Sequence, residues 1–403
     1  MSVTEPERST VRLHQLTMVA EGDDVMVGRP DIGSYAVFPE EGARALRLLD
    51  DGKSVSEVAD WYERARGETL DVEDFLEAIE ELRFVLADGE ERQVLGPVRW
   101  QRLGQWAFSW SAWLLYAGCF AAAVVAMVRE PELRPSYQSL FFTDQISLIP
   151  ILLLVFGVPC ILVHESFHAL AGRRLGLPST LGIGRRLYFL VAETRLDSLL
   201  SVPRRKRYLP FLAGMLADVA MMSLLTLLAV FLRAVGSPHW CWALCVAVAF
   251  GCVLRLVWQF QFYLETDLYY VASTALRCAD LQNATRHQIR NRIRKVQHRS
   301  PLRPVDDWSK HDLTVARWYA PLLIAGYGFA LGTLALVGIP AAVRFWSTVV
   351  DRLTQPDVGS TEIIDALIFL VLTAAQLGLL LYVTVRDRRR RHIGIRQNSA
   401  KEN

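Results

Sequence analysis

Apolar residues along this 403-residue chain are gathered into blocks, and six blocks are long enough to cross a bilayer: residues 105–128, 146–171, 209–232, 239–264, 316–342 and 361–385. A helix needs about twenty predominantly apolar residues to span the hydrocarbon, whereas a soluble core spreads its apolar positions at a period of 2 or 3.6. The periodic kind of pattern is confined to the first hundred residues. Short runs at 24–28 and 34–38 predict two strands, and 40–49 predicts a helix. Ser54, with Glu57 three positions on, is a capping-box signature for a second helix that runs to Arg66 and stops at Gly67. A third helix follows Asp71, placing Val72, Phe75, Leu76 and Ile79 on one face before Phe84-Val85-Leu86. The expected fold is mainly α: a six-span helical membrane protein with a small winged-helix-like α+β domain ahead of it. The corresponding divisions are a tail at 1–19, the small domain at 20–92, a linker at 93–104, the membrane domain at 105–385 and a basic tail at 386–403.

Charge refines this division. The chain is 52% hydrophobic with a net charge of only +2, but its first hundred residues carry 23 acids against 11 Lys and Arg. A winged helix often binds DNA, yet a domain this acidic repels a phosphate backbone, and no Lys/Arg cluster marks a recognition helix. Nucleic acid is therefore excluded as a partner and a peptide is expected. Between the spans, Lys and Arg crowd the second loop, the fourth loop and the C-terminal tail, while the first, third and fifth loops hold one or two each. The positive-inside rule then puts both termini, with the second and fourth loops, in the cytoplasm of a multi-pass protein of the inner or plasma membrane. Attraction to anionic lipid accounts for the basic loops. No basic-then-apolar secretory signal opens the chain. A ratio of 39 Arg to 5 Lys points to a GC-rich bacterial genome. The six cysteines lack disulfide or zinc-finger spacing, and Cys241, Cys245 and Cys252 read as small packing residues on one helix face. His239, His287, His298 and His311 have no partner spacing. Nothing in the sequence sets the oligomeric state.

The candidate chemistry sits at the end of the second apolar block, in His164-Glu165-Ser166-Phe167-His168. On a helix, positions i and i+4 share a face, so the two imidazoles can converge on one Zn²⁺ while Glu165 reaches a water as general base. A catalytic zinc takes three protein ligands. After the fourth apolar block comes Glu265-Thr266-Asp267, placed by the loop charges at the same membrane face, so Asp267 or Glu265 is the candidate third ligand. Asp218 stands inside the third apolar block, where an ionisable group is a functional candidate by default. It is expected either to hydrogen-bond a ligand histidine or, protonated, to hold the spans together.

Two resemblances add to this. The strand pair, the Leu48-Leu49-Asp50-Asp51-Gly52-Lys53-Ser54 turn and the closing Phe75-Leu76, Ile79 and Leu82 helix resemble PqqD-like domains, which bind leader segments of ribosomally made peptides. Residues 146–275 resemble the site-2 protease family of intramembrane zinc metalloproteases, in which HExxH on one span is completed by an Asp on a later one. His164, Glu165 and His168 match the first motif and Asp267 the second. Where the family has Asn-Pro before that Asp and Gly after it, this chain has Gln259-Phe260 and Leu268; Tyr269-Tyr270 resembles a branch linked to peptide processing. The segment around Asp218 resembles the family's Gly-Pro-x-x-Asn motif with two substitutions, and Gln259, or alternatively Gln261, would occupy the place of an oxyanion-donating Asn.

Together these imply a zinc metalloendopeptidase acting at the cytoplasmic side of the membrane, with a ribosomal precursor peptide as substrate. A β-prone stretch carrying Leu187, Phe189 and Val191 is a candidate edge for an extended substrate strand. Regulated cleavage of a membrane-anchored signalling protein is the enzymatic alternative. A non-catalytic peptide-binding receptor or export accessory is the alternative from another class.

Overall fold

The computed structural model describes residues 10–399 apart from Asp23, Leu70, Asp88, Glu91, 93–95, Pro97, 187–188, 279–280 and 301–309. The chain divides into two compact units. One comprises Met1–Phe108, His168–Leu181 and Thr194–Pro210; the other comprises Ser109–Phe167, Gly182–Glu193 and Phe211–Asn403.

In the first unit, β1 (Thr17–Glu21), β2 (Asp24–Arg29) and β3 (Ser34–Pro39) form an antiparallel sheet, followed by α1 (Glu40–Asp50), α2 (Val55–Arg66) and α3 (Val72–Glu81). Both expected strands and all three expected helices are present. The Ser54–Glu57 capping box closes reciprocally, and Gly67 ends α2 at φ +73°, a left-handed conformation that costs glycine little. Val27, Leu46, Ile79 and Phe84 are completely buried at the centre of this core. The sequence pattern missed β1, whose residues lack clean alternation because it is an edge strand, half-buried except at the exposed Ala20 and held by its ladder to β2. A bridge between Leu13 and Val85 ties the chain ahead of β1 to the segment after α3.

The same unit holds α4 (Gln101–Ala107), the end of α6 (Leu148–Arg174) and the start of α7 (Arg204–Ala234). Gly104 allows α4 to lie against α6, since a Cβ there would come within 2.4 Å of the Leu170 carbonyl oxygen. Glu21, at the end of β1, accepts from Arg204 Nη2 at 2.8 Å and pairs with Arg207 Nη2 at 2.7 Å. Arg207 also donates to the carbonyls of Val202 and Leu200, and Ser198 Oγ donates to the carbonyl of Pro30.

The second unit begins with α5 (Trp110–Arg129) and the body of α6. β4 (Thr180–Arg186) and β5 (Phe189–Arg195) form a two-stranded sheet. After the body of α7 come α8 (His239–Trp258), α9 (Asp267–Leu276), α10 (Leu281–Val296), α11 (Lys310–Thr333), α12 (Ile339–Thr354) and α13 (Ser360–Ser399). Among the described residues, six helical stretches are long and apolar enough to cross a membrane: Trp110–Arg129, Leu148–Arg174, Arg204–Ala234, His239–Trp258, His311–Thr354 and Ser360–Arg386. Several ends depart from the sequence expectation. The first starts at Trp110 rather than near 105, because residues 105–107 belong to α4, and the third starts at Arg204 rather than near 209. The fourth stops at Trp258 rather than near 264, because the chain turns through Gln259 and Gln261 into the short 3₁₀ segment Phe262–Leu264. The fifth runs on through the π-helical turn Leu334–Gly338, which joins α11 to α12.

Cys160 of α6 belongs to one buried cluster with Ala243, Leu244, Ala247, Val248 and Cys252 of α8. Cys252 thus occupies a packing position, as expected from its helix face. At the start of α6, Asp365 of α13 accepts from the backbone amides of Ile146 at 2.8 Å and Ser147 at 3.1 Å. Arg352 Nη1 reaches the same carboxylate at 2.5 Å. A carboxylate from a distant helix thereby satisfies the two amides of the turn that leads into α6.

Candidate metal centre

His164, Glu165 and His168 stand on α6, all with less than 9% of their surface exposed. The line between the two units falls inside this helix, between Phe167 and His168, and the helix is continuous across it. Asp267 is the first residue of α9. One ligand atom from each of His164, His168 and Asp267 lies within 4.8 Å of the others. Of the two candidate third ligands, Asp267 belongs to this group; Glu265, two residues earlier, takes a left-handed turn at φ +54°.

The outer nitrogens of both rings are accounted for. His164 Nδ1 donates to Asp218 Oδ2 at 2.9 Å, and His168 Nδ1 donates to the Pro210 carbonyl at 2.7 Å. A carbonyl oxygen can only accept, so the His168 proton resides on Nδ1 and the lone pair on Nε2. The Asp218 contact selects the same tautomer for His164. Its Nε2 stands 3.5 Å from Asp267 Oδ2, close to the roughly 3.3 Å edge of a tetrahedron with zinc–ligand bonds near 2.0–2.1 Å. Two imidazoles and a carboxylate with ligand atoms this close are donors of the type zinc takes, and an acceptor behind each histidine is the usual companion of such sites.

Asp218 is wholly buried on α7, and its other oxygen is held by Arg255 of α8, with Nε at 2.8 Å and Nη2 at 2.6 Å. Arg255 was not singled out from the sequence. A legible signal existed: it is a lone arginine in an otherwise apolar span, which requires a partner of opposite charge. The role of the Pro210 carbonyl had no sequence signal, because backbone acceptors carry no side-chain signature.

Gln259 ends α8, and its Oε1 accepts from the Asp267 amide at 3.0 Å, while its own carbonyl accepts from Thr266 Oγ1 at 2.7 Å. It therefore fixes the turn that delivers Asp267. Gln261, the alternative, accepts from Tyr263 Oη at 3.1 Å. Tyr270 stacks on Phe211 with centroids 5.6 Å apart, and Tyr269 packs beside Tyr319, which anchors the first turn of α9 just after Asp267. Of the candidate substrate-strand residues, Leu187 lies outside the described residues; Phe189 and Val191 belong to β5, with side chains outside the description. No family model, curated protein or solved structure matches this chain.

Proposed function

We propose that this chain is an intramembrane zinc metalloendopeptidase, with His164, His168 and Asp267 as the metal ligands and Glu165 as general base. The observation that carries the reading is the convergence of these three donors, with both histidine Nδ1 atoms engaged behind them. Zinc held there supplies Lewis acidity, lowering the pKa of a water and polarising a peptide carbonyl. Glu165, beside His164 and nine-tenths buried, accepts the proton of the attacking water and later returns it to the leaving amine. Asp218 and the Pro210 carbonyl keep each imidazole in the tautomer that presents Nε2. Gln259 holds the Asp267 turn, and we assign donation to the oxyanion to the same side chain.

A helical substrate has its carbonyls engaged in hydrogen bonds, so a membrane segment must unwind before it can be cut. The β4–β5 pair is the proposed edge for the unwound strand. Residues 20–92 are proposed to be a PqqD-like peptide-recognition domain; the three strands, the three helices and the acidic charge support this, and a ribosomal precursor peptide is the proposed substrate. The basic second and fourth loops and tail support an orientation with both termini, and the metal centre, at the cytoplasmic face of a bacterial membrane.

Metal content of detergent-purified full-length protein tests the site. About one zinc per chain is expected in wild type and in Glu165→Gln, with loss in His168→Ala and Asp267→Ala. Well-folded wild type without stoichiometric metal would overturn the reading. Cleavage of a co-expressed precursor peptide by wild type, abolished in Glu165→Gln, separates an enzyme from a peptide-binding receptor.

A further inference from the structure

Beyond the metal centre, the fourth loop folds into something more specific than a string of positive charges. Helix α10 packs on the start of α11 through Leu281, Ala284, Ala316 and Tyr319, all buried. Gln288 Nε2 donates to the Leu313 carbonyl, and Gln282 Nε2 donates to the Tyr263 carbonyl at 2.8 Å, so the two helices are fixed to each other and to the turn before α9. Between them lies a cleft of about 620 Å³. Arg292, Lys295 and Arg299 enter it from one side and Arg317 from the other, with the amides of Gln288 and Asn291 beside them. No carboxylate lines it, and among the described residues none of these four cations forms an ion pair.

Such an arrangement is unfavourable by itself. Like charges three residues apart on a helix repel, as Arg292 and Lys295 do on α10, and Arg299, just past the helix end, adds a third cation to the same cleft. A general excess of basic residues near a membrane explains their number but not their convergence on one concavity lined with amides. Guanidinium forks in that arrangement match the oxygens of a phosphate group. The surroundings identify its source. Leu313 and Arg317 lie in the first turns of the fifth apolar stretch, and Trp318, next to Arg317, is 83% exposed. On α10, Ile293 and Val296 are exposed beside Arg292 and Lys295. Bare apolar and aromatic side chains interleaved with cations belong where headgroups meet acyl chains.

We propose that the cleft between α10 and the first turns of α11 is a binding site for the phosphate headgroup of an anionic phospholipid. The site is independent of the metal centre and rests only on the chain residing in a membrane. It differs from diffuse attraction in being saturable and in depending on these particular side chains.

Native mass spectrometry of the full-length protein, released from mixed micelles of phosphatidylglycerol and phosphatidylcholine at equal mole fraction, tests it. One retained phosphatidylglycerol per chain is expected, with no preference for phosphatidylcholine. In Arg292→Gln/Lys295→Gln/Arg317→Gln the apparent affinity should fall roughly 100-fold, while neutralising Arg386 and Arg388 in the tail leaves it unchanged. An unaltered thermal midpoint and monodisperse elution of the triple variant establish that it is folded; should it unfold, the single Arg317→Gln, expected to lose roughly five-fold, serves instead. Equal retention of the two lipids, or equal losses in the cleft and tail variants, would overturn the proposal. Displacement of the lipid by sub-millimolar pyrophosphate would overturn the lipid source in favour of a soluble phosphate ligand.

Discussion

Asp218 has no solvent exposure, and its two oxygens are divided between an imidazole and a guanidinium. This division makes the contributions of the two partners separable. Asp218→Asn should weaken zinc binding about 10- to 100-fold, because the amide carries no charge and offers one accepting oxygen where His164 and Arg255 use two, and competition with a chromophoric chelator measures it. Arg255→Met touches no ligand but leaves a buried carboxylate without its cation, which costs on the order of 3–5 kcal/mol in thermal unfolding of the metal-free protein. The double variant removes both charges together and is expected to be more stable than Arg255→Met alone. A double variant less stable than Arg255→Met would show that the pair acts through something other than mutual compensation. The histidine pair and its glutamate were legible as residues because their spacing is the chemistry. Arg255 was legible only as an anomaly, since one span does not reveal which carboxylate on another it will meet.

Elements are held together here by contacts that local patterns do not encode. Gly104 is one: a Cβ would lie 2.4 Å from the Leu170 oxygen and 3.1 Å from the Arg174 amide, both backbone atoms of α6 that cannot swing aside. Gly104→Ala is therefore expected to cost about 1–3 kcal/mol, whereas Gly118→Ala on α5, with no atom within 4 Å, should be neutral or slightly stabilising. Equal thermal midpoints for the two variants would contradict the close approach of α4 and α6. The Glu21 contact with the first turn of α7 is another. Burial opposes its charge, but hydrogen bonds and Coulomb attraction from Arg204 and Arg207 prevail and hold Glu21 below the ordinary glutamate value of 4.5. A depressed acid contributes stability at all pH above its unfolded value and loses it as pH falls through the folded one. Wild type should thus exceed Glu21→Gln in resistance to proteolysis between α3 and α4 at pH 7, and the gap should close only below about pH 4.5. A gap that persists unchanged into strong acid would exclude the ion pair as its cause.

On the scale of the whole molecule, six apolar helical stretches alternate with loops of unequal charge. Reporter fusions at residues 135, 236 and 357 are expected to report the outer side of the membrane, and fusions at 299 and 395 the inner side. An inverted pattern would place the metal centre at the opposite face and remove the cytoplasmic precursor peptide as a substrate. The six stretches were readable in the sequence because the cost of placing unpaired backbone and charge in hydrocarbon is paid segment by segment, within each run of twenty residues. The small domain's helices were readable for a similar reason: the Ser54 cap, the Gly67 stop and the face of α3 are local devices.

What the sequence alone determined is therefore everything set by neighbours along the chain: the apolar blocks, the caps, the charge asymmetry and the pairing of His164 with His168 one helical turn apart. The tertiary structure decided the rest. It placed Asp267 rather than Glu265 with the histidines, through a turn fixed by the Gln259 side chain. It also chose Asp218 and the Pro210 carbonyl as the acceptors behind the two rings, and gathered the fourth loop's cations into a cleft. Apart from the Gln259–Asp267 turn, each of those contacts brings together residues far apart along the chain, and their partners are selected by which helix faces pack together, a property that no single segment possesses.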